Sequence, residues 1–138
     1  MTAAGFLRDN EEMRPSDAFS TTQKRLSIME DCLFCRIARG DIPSRKVYED
    51  DDVLAFHDIN PKAPVHFLII PKKHITSLAE AEPEDAPLLG KMLSLTRTLA
   101  LQEGCRNGFR VIINTGRDGG QEVGHLHIHV LGGPQPWK

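Results

Sequence analysis

Three histidines spaced two residues apart, His125, His127 and His129, form the group in this chain best suited to chemistry. Imidazole ordinarily titrates near neutrality, so a row of rings can offer a neutral nucleophile beside proton-donating neighbours. The same three rings are also a donor set suited to a metal ion. Between them lie Leu126, Ile128 and Val130. On an extended strand side chains alternate between faces, so the imidazoles share one side and the aliphatic residues cover the other. A helix would group His125 with His129 and turn His127 away. The β-branched Ile128 and Val130, with Gly124 before them and Gly132 and Gly133 after, favour a strand.

Other chemistry-bearing groups are scattered along the chain. Cys32 and Cys35 form a Cys-x-x-Cys pair, whose uses are redox, metal binding or none. His66 stands alone in an apolar run, where a histidine is more often structural than catalytic. Thr115-Gly116-Arg117-Asp118-Gly119-Gly120-Gln121-Glu122 is a glycine-rich connection leading into the histidine row. Gly119 and Gly120 would let backbone N–H groups approach phosphate oxygens, placing cradle and nucleophile in one hairpin.

The elements that must position these groups can be read in order. Asp31 is expected to cap a helix over 32–39, with Leu33, Phe34 and Ile37 facing inward and Gly40 ending it. Residues 46–49 and 53–57 read as a hairpin whose acidic tip is solvated. Pro61 and Pro64 interrupt the sheet before a strand over 65–70. Pro83, Glu84 and Asp85 start a helix whose stripe Leu88, Leu89, Met92, Leu95, Thr96 and Leu99 runs to Glu103, with Gly104 as the stop. A fourth strand covers 109–114, and the histidine row is the fifth. This order indicates an α+β domain, a five-stranded antiparallel sheet with two helices. Cys105 reads as an ordinary free thiol.

Composition limits the alternatives. A chain of 138 residues makes one domain without the help of disulfides. A net charge of −2 provides no basic field for nucleic acid or anionic membranes, and no apolar run approaches bilayer length. An odd cysteine count of three and no apolar leader fit a soluble cytoplasmic protein. Residues 1–28 are polar and aperiodic, and Met29 offers a second start. They are expected to be an extension preceding a domain over 29–138.

His125-Leu126-His127-Ile128-His129-Val130 resembles the signature of the histidine triad (HIT) superfamily, and residues 32–133 resemble its nucleotide-binding Hint branch. The resemblance also rests on Ala55-Phe56-His57-Asp58-Ile59, on Pro64-Val65-His66-Phe67-Leu68-Ile69-Ile70-Pro71-Lys72-Lys73-His74-Ile75, and on Asn114 followed by Gly119-Gly120-Gln121. It implies a HIT-like fold, paired into a homodimer with a continuous sheet. It also implies hydrolysis of purine nucleoside phosphoramidates at the α-phosphorus of AMP-type substrates, with no nucleic-acid or membrane partner.

Under that resemblance His127 is the nucleophile, while His125 and His66 hold its tautomer and share protons. His129, Asn114, Gly120 and Gln121 face the phosphate oxygens, and Asp58 accepts from the ribose hydroxyls. Leu33, Phe34, Ile37, Phe56 and Ile59 line the nucleotide pocket, although Leu33, Phe34 and Ile37 read equally well as core. Glu122 stands where many relatives carry serine as a proton donor, and Gly124 where an aromatic residue is common. In that family the C-terminal tail helps select substrates, and the short tail here, with Trp137, leaves that selection open. Catalysis would need no cofactor, but some relatives carry structural zinc, and the matching ligands here are Cys32, Cys35, His74 and His125. A regulatory nucleotide-binding module with little turnover and a dinucleoside polyphosphate hydrolase or nucleotidylyltransferase remain alternatives.

Overall fold

The computed structural model describes residues 32–137, so the expected extension over 1–28 and the Asp31 cap lie outside it. Its first helix, α1 (Leu33–Ala38), is capped instead by Cys32, whose Sγ accepts the Cys35 N–H at 3.3 Å. Gly40, with φ 85°, ends it, and the N–H groups of Gly40 and Asp41 return to the carbonyls of Ile37 and Arg36. A left-handed glycine permits this closing pattern. Phe34 and Ile37 are buried as expected, but Leu33 is 44% exposed.

The strands β1 (Lys46–Glu49) and β2 (Val53–His57) form the expected hairpin. Its tip is tied down rather than merely solvated. Asp50 accepts the N–H groups of Asp52 and Val53 and the Tyr48 hydroxyl, and it lies 2.7 Å from Lys91 Nζ. The remaining strands are β3 (Val65–Pro71), β4 (Phe109–Ile112) and β5 (Ile128–Gly132). All pairs are antiparallel in the order β1-β2-β3-β5-β4. β4 stops two residues short of the expected end, its last pair being Ile112 with His129 near the start of β5, and beyond it the Asn114 side chain donates to the Gly119 carbonyl at 2.8 Å.

The register gives the sheet two distinct faces. Val53 and Ala55 on β2, Phe67 and Ile69 on β3, and Ile128 and Val130 on β5 share one face and form a buried cluster with Met92, Leu99 and Ala100. The last three belong to α2 (Ala86–Gln102), which therefore packs on this face. Its expected first turn is instead a separate 3₁₀ turn at Pro83–Asp85, where Asp85 Oδ2 accepts the Glu82 N–H at 2.9 Å. The opposite face carries Leu54, Phe56, His66, Leu68, Ile70 and His129, and Phe34 of α1 stands edge-on to Phe56 at 5.6 Å. Among the described residues no helix is long and apolar enough to cross a membrane.

Cys105 proves to be a packing residue: a Cβ built on Gly132 would run into its sulfur. Gly132→Ala should therefore destabilise the domain by about 1–3 kcal/mol through overpacking. The double variant with Cys105→Ala should lose less than the sum of the two single changes. Urea unfolding of all three variants checks this, and strict additivity would refute it.

Candidate active site

The histidine row is extended, but only its second half belongs to the ladder. β5 begins at Ile128, and Leu126 donates its N–H to the Ile75 carbonyl at 2.6 Å, outside the paired strands. The alternation survives nonetheless. Leu126, Ile128 and Val130 are all in the core cluster, and their burial turns the intervening imidazoles the other way. His127 and His129 have ring centroids 4.9 Å apart. His127 keeps only 5% of its surface exposed, whereas His129 is half-buried.

Hydrogen bonds assign the tautomers. His127 Nδ1 lies 2.7 Å from the His125 carbonyl, which can only accept. The proton therefore sits on Nδ1, leaving the Nε2 lone pair uncommitted. The Lys62 N–H donates to His66 Nδ1 at 3.0 Å, so the His66 proton sits on Nε2. That nitrogen is 3.0 Å from His129 Nδ1 and 3.4 Å from Asp58 Oδ2. His129 accepts at Nδ1 and so carries its own proton on Nε2. A lone-pair donor and an N–H donor thus stand side by side. Burial, with His127 and His66 nearby, holds the His129 pKa down to about 4. Burial also lowers His66, against the opposing pull of Asp58.

This network corrects the role expected for the first histidine. The ring of His125 does not orient His127; only its carbonyl does. The His125 ring is fully buried, donating from Nε2 to the Pro71 carbonyl at 2.8 Å and turning Nδ1 to Cys32 Sγ and Cys35 Sγ at 3.2 and 3.5 Å. His66 likewise meets His129 rather than His127.

His74 Nδ1 lies 3.2 Å from Cys35 Sγ, completing the set Cys32, Cys35, His74 and His125. All four ligand atoms fall within 4.8 Å of one another. Tetrahedral zinc with bonds of about 2.3 Å to sulfur and 2.0 Å to nitrogen puts its sulfur and nitrogen ligands about 3.5 Å apart, so the set fits that ion. The Nε2 contact from His125 to Pro71 is the outer hydrogen bond such ligands normally make. Burial lowers both His74 and His125, the latter to about 4, keeping the lone pairs available, and pushes the Cys35 thiol up to about 12. Asp58, His66 and His129 also cluster. Here, however, both nitrogens of His66 are taken up by the hydrogen-bond chain, and no lone pair is left for a metal.

The other expected residues divide by location. Phe34 stands edge-on to His127 at 5.2 Å and to Phe56, with Ile37 buried nearby in sequence, while Leu33 and Ile59 are exposed, Ile59 by 91%. Asp58 commits Oδ1 to the Asn60 N–H at 2.8 Å and keeps Oδ2 toward the histidines. In the glycine loop the expected phosphate donors are already engaged. Gln121 gives its amide to the carbonyls of Thr76 and Val123 and accepts from the Gly116 N–H; Gly120 donates to Arg117. Gly119 is required by the backbone of Thr115, which a Cβ would strike. Glu122 and Gly124 are exposed, and Trp137 packs under Arg110, its Nε1 donating to the Gly133 carbonyl. Sequence reasoning missed the Lys62 N–H and the Pro71 and Ile75 carbonyls. Main-chain groups are alike in every residue, so no sequence signal marks them.

Comparison with known proteins identifies the relatives of the chain. The chain matches the family described as the HIT domain over residues 39–135. It is 54% identical over 106 residues to Protein HitA of Neisseria gonorrhoeae, covering 77% of this chain and 99% of that protein. An uncharacterized HIT-like protein of Synechococcus elongatus is also 54% identical, over 75% of this chain and 91% of its own length. Among solved structures, a HIT family hydrolase from Legionella pneumophila aligns with a TM-score of 0.74 at 49% identity, covering 76% of this chain and 95% of that one. Sequence, sheet order and solved relatives together show that the chain belongs to the HIT domain family.

Proposed function

We propose that this protein hydrolyses purine nucleoside 5′-phosphoramidates of the AMP type, with His127 Nε2 attacking the α-phosphorus. The observation that carries the reading is the bond from His127 Nδ1 to the His125 carbonyl, which directs the free lone pair to Nε2. Attack forms a P–N bond to His127 and breaks the bond to the leaving amine, which departs with a proton. Water then cleaves the nucleotidyl-histidine to AMP and free imidazole. His129 Nε2–H opposes charge building on the non-bridging oxygens. The departing amine takes its proton from a histidine or water. The name HIT family hydrolase borne by the Legionella relative supports the reaction class.

The small exposed area of His127 favours a second reading, a nucleotide-binding module with little turnover. Zinc held by Cys32, Cys35, His74 and His125 belongs to either reading, as does a homodimer joined along β4, whose Phe109 and Val111 are exposed. A reducing cytoplasm suits three buried free thiols.

Four measurements bear on these readings. Against adenosine 5′-phosphoramidate, His127→Ala should lower kcat/KM by about 10⁴-fold or more while AMP still binds. The wild-type chain should yield an AMP adduct that peptide mapping places on residue 127, and equal rates in both proteins would leave only the binding module. Elemental analysis should find one zinc per wild-type chain and none in Cys35→Ser.

The fourth measurement is thermal unfolding against pH. Burial holds His125 and His129 at about 4 in the folded chain, below the ordinary 6.5, so the unfolded chain binds more protons between those values. Stability is then complete above pH 6.5 and lost as the pH falls toward 4. The Tm of the metal-free chain should drop across that window, and His129→Asn should flatten the slope. A Tm unchanged from pH 7 to about 4.5 would contradict the neutral, buried imidazoles.

A further inference from the structure

The side chains of Cys32, Cys35, His74 and His125 draw together three stretches of chain, each of which also touches the surroundings of His127. From α1 comes Phe34, between the two cysteines, set edge-on to His127 at 5.2 Å. From the stretch after β3 come two carbonyls. Ile75 accepts the Leu126 N–H at 2.6 Å, and Thr76 accepts Gln121 Nε2–H at 2.7 Å, which ties in the glycine loop through Gly116. From the entry to β5 comes His125, whose ring faces the sulfurs while its carbonyl holds Nδ1 of His127. One residue therefore serves both the ligand cluster and the nucleophile.

We propose that this four-residue centre positions the nucleophile: with a thiophilic divalent cation bound, its ligands lock the main chain at residue 125 and so fix the tautomer and aim of His127. This rests on the reading of His127 as nucleophile and goes beyond a metal that only holds the fold. Without a cation, the cluster is joined by weak thiol–imidazole hydrogen bonds. α1, only six residues long, has little helical stability of its own to keep Phe34 in place. A turn of the peptide after residue 125 would release the Nδ1 proton and let the ring change tautomer. A misplacement of the nucleophile by about 1 Å is enough to cost about 100-fold in rate.

The test uses the full chain, stripped of metal by a chelator and then reloaded with zinc, with far-UV circular dichroism following the fold. Long-range proton–nitrogen spectra of the His127 ring should show one Nδ1–H tautomer with zinc and a mixture without it. Stripping should lower kcat for adenosine 5′-phosphoramidate by about ten- to a hundredfold and change KM and AMP affinity far less. Cys35→Ser should reproduce the stripped state even in zinc, and Cys35→His, which restores a fourth ligand, should recover the loaded spectrum. A stripped, folded chain that keeps the single tautomer and full kcat would overturn the proposal. So would unfolding of both the stripped chain and Cys35→Ser, because the centre would then serve the fold alone. Should neither form release amine, the hydrolase reading fails, and the His127 spectra still decide this inference.

Discussion

The hydrogen bond from His127 Nδ1 to the carbonyl of His125 is the constraint on which the rest of the site depends. A neutral imidazole has one lone pair and one proton, and this contact decides which nitrogen has which. It forms because the chain is extended there, with Leu126 and Ile128 drawn into the core on the opposite side. Hydrophobic burial thus sets the direction of the imidazoles, and a backbone acceptor sets their chemistry. Because the acceptor is a carbonyl, the side chain of residue 125 is released for the sulfur cluster.

A second chain of hydrogen bonds gives the neighbouring ring the opposite character. It runs from the Lys62 N–H through His66 to His129, with Asp58 beside it. In a poorly solvated site such a chain is stronger than in water, and an unmatched member would be costly. Accordingly, no buried side-chain nitrogen or oxygen among the described residues lacks a partner. The pairing of an acceptor ring with a donor ring, centroids 4.9 Å apart, follows from two separate backbone anchors rather than from the rings themselves.

The legible parts of the sequence were those in which side chain and position carry the same message. Alternation through Leu126, Ile128 and Val130 foretold the burial that turns the histidines, and the spacing of Met92, Thr96 and Leu99 foretold the buried stripe of α2. The cluster of Cys32 and Cys35 with His74 and His125 could be anticipated only through family resemblance, because no local pattern joins residues so far apart. Illegible were the contributions of main chain and of close approach. Gly119 read as a phosphate approach, yet it is needed to clear Thr115, and the Gln121 amide, read as a phosphate donor, braces the loop. Leu33 read as core because its hydrophobicity is visible, yet as the first residue of α1 it stands 44% exposed.

The clamp on His66 comes from the peptide nitrogen of Lys62, not from its ammonium. Evolution could accordingly exchange that exposed lysine for most other amino acids and keep the donor to His66 Nδ1, losing only the small push that its charge gives to His66 and His129. Proline alone, having no amide hydrogen, would erase the clamp. A surface position tolerant of size and polarity would thus carry a single prohibition for the clamp, visible in a family only as the residue that never occurs.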